Sequence, residues 1–168
     1  MSHSLILGQT ESGKTALAKQ LAAQYSRAGI NVIVLDPIND PSWNADFQTT
    51  DPEQFFEVYW KNQQCAAFFD ESGELCKEYP AEMKKTATRG RHWGHSNLYI
   101  AQRAVLIPPT IRDQCNRMFL FASSLEDCKI HSAEWNQPAL KEEGPKLAQL
   151  EYFSVQRMKP LKRGKVTF

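Results

Sequence analysis

Eight residues near the amino terminus constrain this chain more than any others. Gly8-Gln9-Thr10-Glu11-Ser12-Gly13-Lys14-Thr15 fits G-x-x-x-x-G-K-[ST] throughout. Ser4-Leu5-Ile6-Leu7 precedes it as an apolar strand, and Leu17, Ala18, Leu21, Ala22 and Tyr25 follow at helical spacing until Gly29. A strand feeding a glycine-bearing loop and then a helix is the context the motif needs. Glycines let successive N–H groups turn inward as an anion-binding nest, and the helix adds its positive end. These residues are therefore expected to grip the phosphates of ATP, with Lys14 on the β- and γ-phosphates and the Thr15 hydroxyl on magnesium.

The rest of the chain alternates in kind. Short apolar runs are expected as strands at Asn31 to Asp36, Cys65 to Phe69, Asn97 to Ala101 and Arg117 to Phe121, with a further one within Gln149 to Val155. Between them, Asp51-Pro52-Glu53 opens a helix with Phe55, Phe56, Tyr59 and Trp60 on a broad aromatic face. The segment from Ser72 to about Arg91 reads as helix or loop, Asn39 to Thr50 as loop. Pro108-Pro109 opens a short helix, and Ser124-Leu125-Glu126-Asp127 has the spacing of a helix start. Alternating strands and helices indicate βαβ units, hence an α/β fold with a mostly parallel sheet covered on both faces. With 168 residues, 42% hydrophobic and 23% charged, the chain is expected to form one motor-sized domain over 1–156, followed by a basic tail over 157–168.

In such sheets ligands lie beyond the carboxyl ends of the strands. The third strand ends in Asp70-Glu71 and the fourth in Gln102. Asp70 is expected to hold magnesium, through water or through Thr15. Glu71, one residue further, is placed to take a proton from the attacking water, and Gln102 to hold that water and report the γ-phosphate.

Other features narrow the class. Net charge is +1, so any contact with DNA comes from a local patch. The longest apolar run, Cys65 to Phe69, is far below the ~20 residues of a membrane span, and the amino terminus lacks a basic n-region and a cleavage site. Cys65, Cys76, Cys115 and Cys128 form no CxxC pair, and Cys115, Cys128 and His131 lack a fourth zinc ligand. A reduced, cytoplasmic protein is expected. Trp93, between His92 and His95, reads either as a stacking platform for bases or as a buried ring.

Together, GQTESGKT, the FFDE strand end, the run TRGRHWGHSNLYIAQR (Thr88 to Arg103) and IRDQCNRMFLFASSLED (Ile111 to Asp127) resemble the FtsK–HerA superfamily of DNA-pumping ATPases. The small size is similar to the genome-packaging ATPases of membrane-containing phages and related viruses. The resemblance implies a three-layer αβα P-loop NTPase of the RecA-like (ASCE) kind. It implies an ATP hydrolase that translocates double-stranded DNA as a homo-oligomeric, hexamer-like ring. It places the protein in the host cytoplasm or at a packaging vertex beside capsid or membrane proteins. It also implies an arginine acting on the neighbour's ATP, for which Arg89 and Arg91 are the matching positions and Arg117 a third. In a ring, pore-facing loops contact DNA phosphates, and Lys77, Lys84 and Lys85 are the expected contacts, with a second basic cluster at Lys159, Lys162, Arg163 and Lys165. Extra membrane or β-barrel domains of the cellular members have no room here. Two rival readings stay open: a small nucleotide or metabolite kinase, and a slow ATP-dependent switch or scaffold.

Overall fold

The computed structural model describes residues 2–168. Its centre is a single eight-stranded sheet. In chain order the strands are β1 (His3–Leu7), β2 (Val32–Leu35), β3 (Phe47–Thr49), β4 (Ala66–Phe69), β5 (Ser96–Ala101), β6 (Cys115–Phe121), β7 (Glu151–Gln156) and β8 (Lys162–Lys165). Their order across the sheet is β3-β2-β4-β5-β1-β6-β7-β8. The pairings from β3 to β6 are parallel, and those of β6 with β7 and β7 with β8 are antiparallel.

The central strands are mostly apolar, polar only near the amino ends of β1, β5 and β6, because both faces are covered. Alternate residues feed two cores. Leu5, Leu7, Phe69, Tyr99 and Leu120 face one side, and Ile6, Phe68, Leu98, Ile100 and Phe121 face the other. The first side is packed by α2 (Pro52–Lys61), α3 (Ser72–Glu78), α4 (Pro80–Arg89), α5 (Pro109–Gln114), α6 (Leu125–Trp135) and α7 (Pro138–Glu143). The second side is packed by α1 (Lys14–Arg27), with Trp43 from a short 3-10 turn beside it. This is the αβα sandwich expected from the sequence.

Helix starts follow their caps. The Asp51 carboxylate accepts from Glu53 N at 3.0 Å ahead of Pro52, and Ser124 Oγ accepts from Asp127 N at 3.2 Å.

The structure departs from expectation in two segments and decides a third between helix and loop. The loop after Asn39 contains β3, an edge strand of three residues and too short to show a period. The stretch after Glu71 is two helices, α3 and α4, so Lys77, Lys84 and Lys85 sit on helices and not on loops. The basic stretch expected as a tail returns to the sheet: Lys162–Lys165 pairs with β7, and Val166 is buried. Lysine and arginine on an outermost strand discourage pairing with another chain, and that same charge makes the strand read as a solvated tail.

Candidate active site

The phosphate loop leaves the carboxyl end of β1 and enters α1 at Lys14. Gly8 and Gly13 have φ of 151° and 120°, outside the range of ordinary side chains. Space forbids a side chain as well. A Cβ on Gly8 would stand 2.6 Å from Phe121 Cβ, and one on Gly13 would stand 2.9 Å from Phe121 Cε1. The loop is held from outside itself by Gln9 N to Ala122 O (2.9 Å), Leu150 N to Ser12 O (2.9 Å) and Gln149 Nε2 to Glu11 O (3.0 Å). Lys14 Nζ folds back onto Gly8 O and Gln9 O, both at 2.7 Å. Burial lowers the pKa of this ammonium, while Asp70 and Glu71 oppose the shift. The buried Ser12 hydroxyl has no protein partner.

In the sheet, β5 lies between β1 and β4, so the ends of these three neighbours meet above one cavity. The cavity is about 180 Å³ and is lined by Lys14, Thr15, Asp70, Glu71 and Gln102 together with Thr10 and Glu11. Ile100, Ala101 and Ile38 supply apolar wall. The structure therefore brings together the phosphate loop, the acidic pair and the polar strand end that the sequence singled out.

Asp70 and Glu71 differ in environment. Asp70 is half-buried, and desolvation pushes its pKa up to about 6. The Glu71 N–H and Lys14 counter that rise, whereas Asp36 and Glu71 reinforce it. Asp70 Oδ1 accepts from Glu71 N at 2.9 Å. Glu71 is exposed and sits in the left-handed region at φ 55°, an unfavourable conformation for a residue with a Cβ. This turn carries the carboxylate past the strand end and over the cavity.

Thr15 and Asp70 fit a magnesium ion. A hydroxyl and a carboxylate line one cavity, both are hard oxygen ligands, and the carboxylate carries a desolvated charge that a nearby cation relieves.

Two contributors escaped sequence reading. Asp36, buried at the end of β2, accepts from Ile38 N, Asp40 N and Trp43 Nε1 at 2.9–3.1 Å and so shapes the loop that carries Ile38 to the cavity. Gln149 and Leu150 brace the phosphate loop from more than a hundred residues away. For Asp36, the clue is an Asp followed by Pro and Asn at a strand end; for the brace, local sequence holds none.

Other expected residues lie elsewhere. Arg89 and Arg91 precede β5, at the opposite edge of the sheet from the cavity, and Arg91 Nη2 donates to Gln114 O at 2.7 Å. The six residues of β5 set that separation at about 20 Å. Arg117, near the start of β6, stacks on Phe119 at 4.6 Å and donates to Ser154 Oγ. Lys77 and Lys85 pair with Glu74 and Glu82 on their own helices. Trp93 is half-buried, donates to Trp60 O at 3.0 Å and makes a T-shaped contact with the Trp60 ring, so it ties the turn before β5 to α2. Cys115 and Cys128 are buried thiols raised to about 12 and about 11 by desolvation.

Solved structures place this geometry. The genome packaging NTPase B204 of Sulfolobus turreted icosahedral virus 2, solved with AMPPCP, superposes with a TM-score of 0.83 at 16% identity, over 99% of this chain and 98% of that one. The chain has that fold. VirB4 of Thermoanaerobacter pseudethanolicus follows at 0.76 and 12%, over 99% and 89%. The pCW3 conjugation coupling protein TcpA, solved with ATPγS, follows at 0.75 and 13%, over 98% and 59%. No protein-family model and no curated protein sequence matches the chain. No helix among the described residues is long and apolar enough to cross a membrane.

Proposed function

We propose that this protein is an ATP hydrolase that drives double-stranded DNA, packaging a viral genome as one subunit of a homo-oligomeric ring. The observation that carries the reading is the meeting of Lys14, Thr15, Asp70, Glu71 and Gln102 around one cavity on a sheet that matches the packaging NTPase B204 end to end.

On this reading Lys14 exchanges Gly8 O and Gln9 O for the β- and γ-phosphate oxygens, which lets the loop close on its substrate only when the substrate arrives. Thr15 and Asp70 hold magnesium, which when bound offsets the charge of the phosphates. Gln102 orients the attacking water and Glu71 takes its proton. The left-handed turn at Glu71, tied to Asp70, fixes the base at the cavity mouth.

Arg89 and Arg91 stand too far from their own cavity to act there and are assigned to the ATP of the next subunit. A guanidinium so placed is worth about 10³–10⁵ in rate. Lys77, Lys84 and Lys85 remain the assigned DNA contacts, now as a helical surface. Capsid or membrane proteins at the packaging vertex, reached from the host cytoplasm, are the assigned docking partners.

ATP hydrolysis with and without double-stranded DNA, at two salt concentrations, tests the reading. Stimulation that weakens with salt supports it. Phosphorylation of nucleoside monophosphates, or hydrolysis indifferent to Glu71→Gln, overturns it in favour of a kinase or a switch.

A further inference from the structure

A second opening adjoins the phosphate loop on the side away from Asp70, Glu71 and Gln102. Thr15 and Ala16 line both the loop's own cleft and this groove, which continues along the outer face of α1 past Lys19, Gln20 and Ala23. Ser42 closes one side and Phe168 the other. Its volume is about 450 Å³, within the range of about 300–1,000 Å³ typical of small-molecule clefts.

With the γ-phosphate directed at Glu71 and Gln102, the rest of a nucleotide must leave over Thr15 and Ala16, into this groove.

The Phe168 ring is 96% exposed, yet the chain that carries it is tightly held. Val166 is buried and its N–H donates to Leu150 O at 2.8 Å, while Leu150 N donates to Ser12 O at 2.9 Å. Gln20 Nε2 donates to Thr167 O at 2.6 Å. These hydrogen bonds hold the backbone just before Phe168 close to the phosphate loop and leave its ring free in water. An aromatic face offered to solvent beside a phosphate site suits a stacked base, because every base has a π-face.

Lys19, Gln20 and Ser42 each already have a partner, and the Thr15 hydroxyl is assigned to magnesium. Lys19 Nζ is 2.6 Å from Asp40 Oδ2, the Gln20 amide is on Thr167 O, and Ser42 bonds the Asp40 carboxylate. What remains for a base is alkyl stem, alanine methyl, one ring and a single solvent-accessible amide oxygen, that of Gln20. A site of that kind discriminates weakly, since strong rejection needs a buried polar group that only the right partner satisfies.

Resting on the ATPase reading, we propose that this groove seats the nucleobase, that Phe168 stacks on it, and that the base edge goes unread, so ATP and GTP bind nearly alike.

Calorimetry on the full chain with magnesium tests this, using ATP, GTP and inorganic tripolyphosphate. The expected result is ATP and GTP affinities within tenfold of each other, roughly the discrimination apolar contacts give. Phe168→Ala weakens both by about 5- to 20-fold and leaves tripolyphosphate binding unchanged, and Phe168→Trp restores the nucleotides. Phe168 is exposed, so its replacement spares the core. A preference for one base above about a hundredfold, or nucleotide affinities indifferent to Phe168→Ala, overturns the base seat while tripolyphosphate binding keeps the phosphate site standing. Absence of binding by all three ligands removes the ATPase reading and this proposal with it.

Discussion

The two ends of the sheet treat polar groups in opposite ways. Near the amino end of β5, Asn97 Nδ2 donates to Thr86 O and to the Tyr99 hydroxyl, while its Oδ1 accepts from Tyr59. Thr86 Oγ1 meets the same Tyr99 hydroxyl at 2.8 Å, and His95 spans Cys65 N and Tyr59 O. These groups are buried and spend their hydrogen bonds on one another. At the carboxyl end, Lys14 borrows backbone carbonyls, Asp70 holds an under-solvated charge, Glu71 sits in a strained turn, and Ser12 has no partner. A folded domain gains by satisfying its polar groups, and at the carboxyl end the unmet groups border an open cavity that a ligand can fill.

The sharpest way to break the comparison is at the unfinished end. Lys14→Ala should abolish ATP binding, and Glu71→Gln should keep binding while lowering turnover by about 10²–10⁴-fold, the range of a lost general base. Calorimetry beside steady-state hydrolysis separates the two. At the amino end, Asn97→Ala removes one hydrogen bond each from Tyr59, Tyr99 and Thr86 O in a buried network, and urea unfolding should register a loss of about 3 kcal/mol. The same substitution should leave ATP affinity intact.

His3, at the start of β1, lies at the same end as Asn97 with its Nε2 buried and unpartnered, and it adds a dependence on pH. Burial, aided by the charge of Arg91, lowers its pKa from 6.5 to about 4. The folded protein therefore favours the neutral ring, and the stability this gives is complete above pH 6.5 and is lost as pH falls toward 4. Urea midpoints at pH 7 and pH 4.5 should differ by an amount equivalent to about 2 kcal/mol more in the natural chain than in His3→Gln.

The smallest effect has the opposite sign. Glu71→Gly relieves the left-handed turn and should raise stability by about 1 kcal/mol while ending hydrolysis. A thermal melt that moves down instead would show that Glu71 is not strained.

The sequence made the phosphate loop, the apolar strands and the FFDE end legible because each is a local pattern: a fixed octapeptide, or an apolar run ended by charge. Adjacency of β1, β5 and β4, which places Gln102 between the two halves of the cavity, is visible only in the strand order of the sheet. What escaped notice was short, charged or remote. The three residues of β3 show no period, and β8 carries a basic stretch's composition. Ile38 reaches the cavity through a turn built on Asp36. Arg89 and Arg91 were found as types, yet their distance from the cavity is visible only from the strand that separates them.

One consequence concerns order of assembly. Ser12 leans on Leu150, and Leu150 on Val166, so the grip on phosphate depends on backbone that the ribosome makes more than a hundred residues later. A polypeptide cut after Gln156 would retain the whole octapeptide and both carboxylates but would lack the last of these supports. Such a fragment should hold nucleotide poorly, so the phosphate grip is completed only when the last strand has been made.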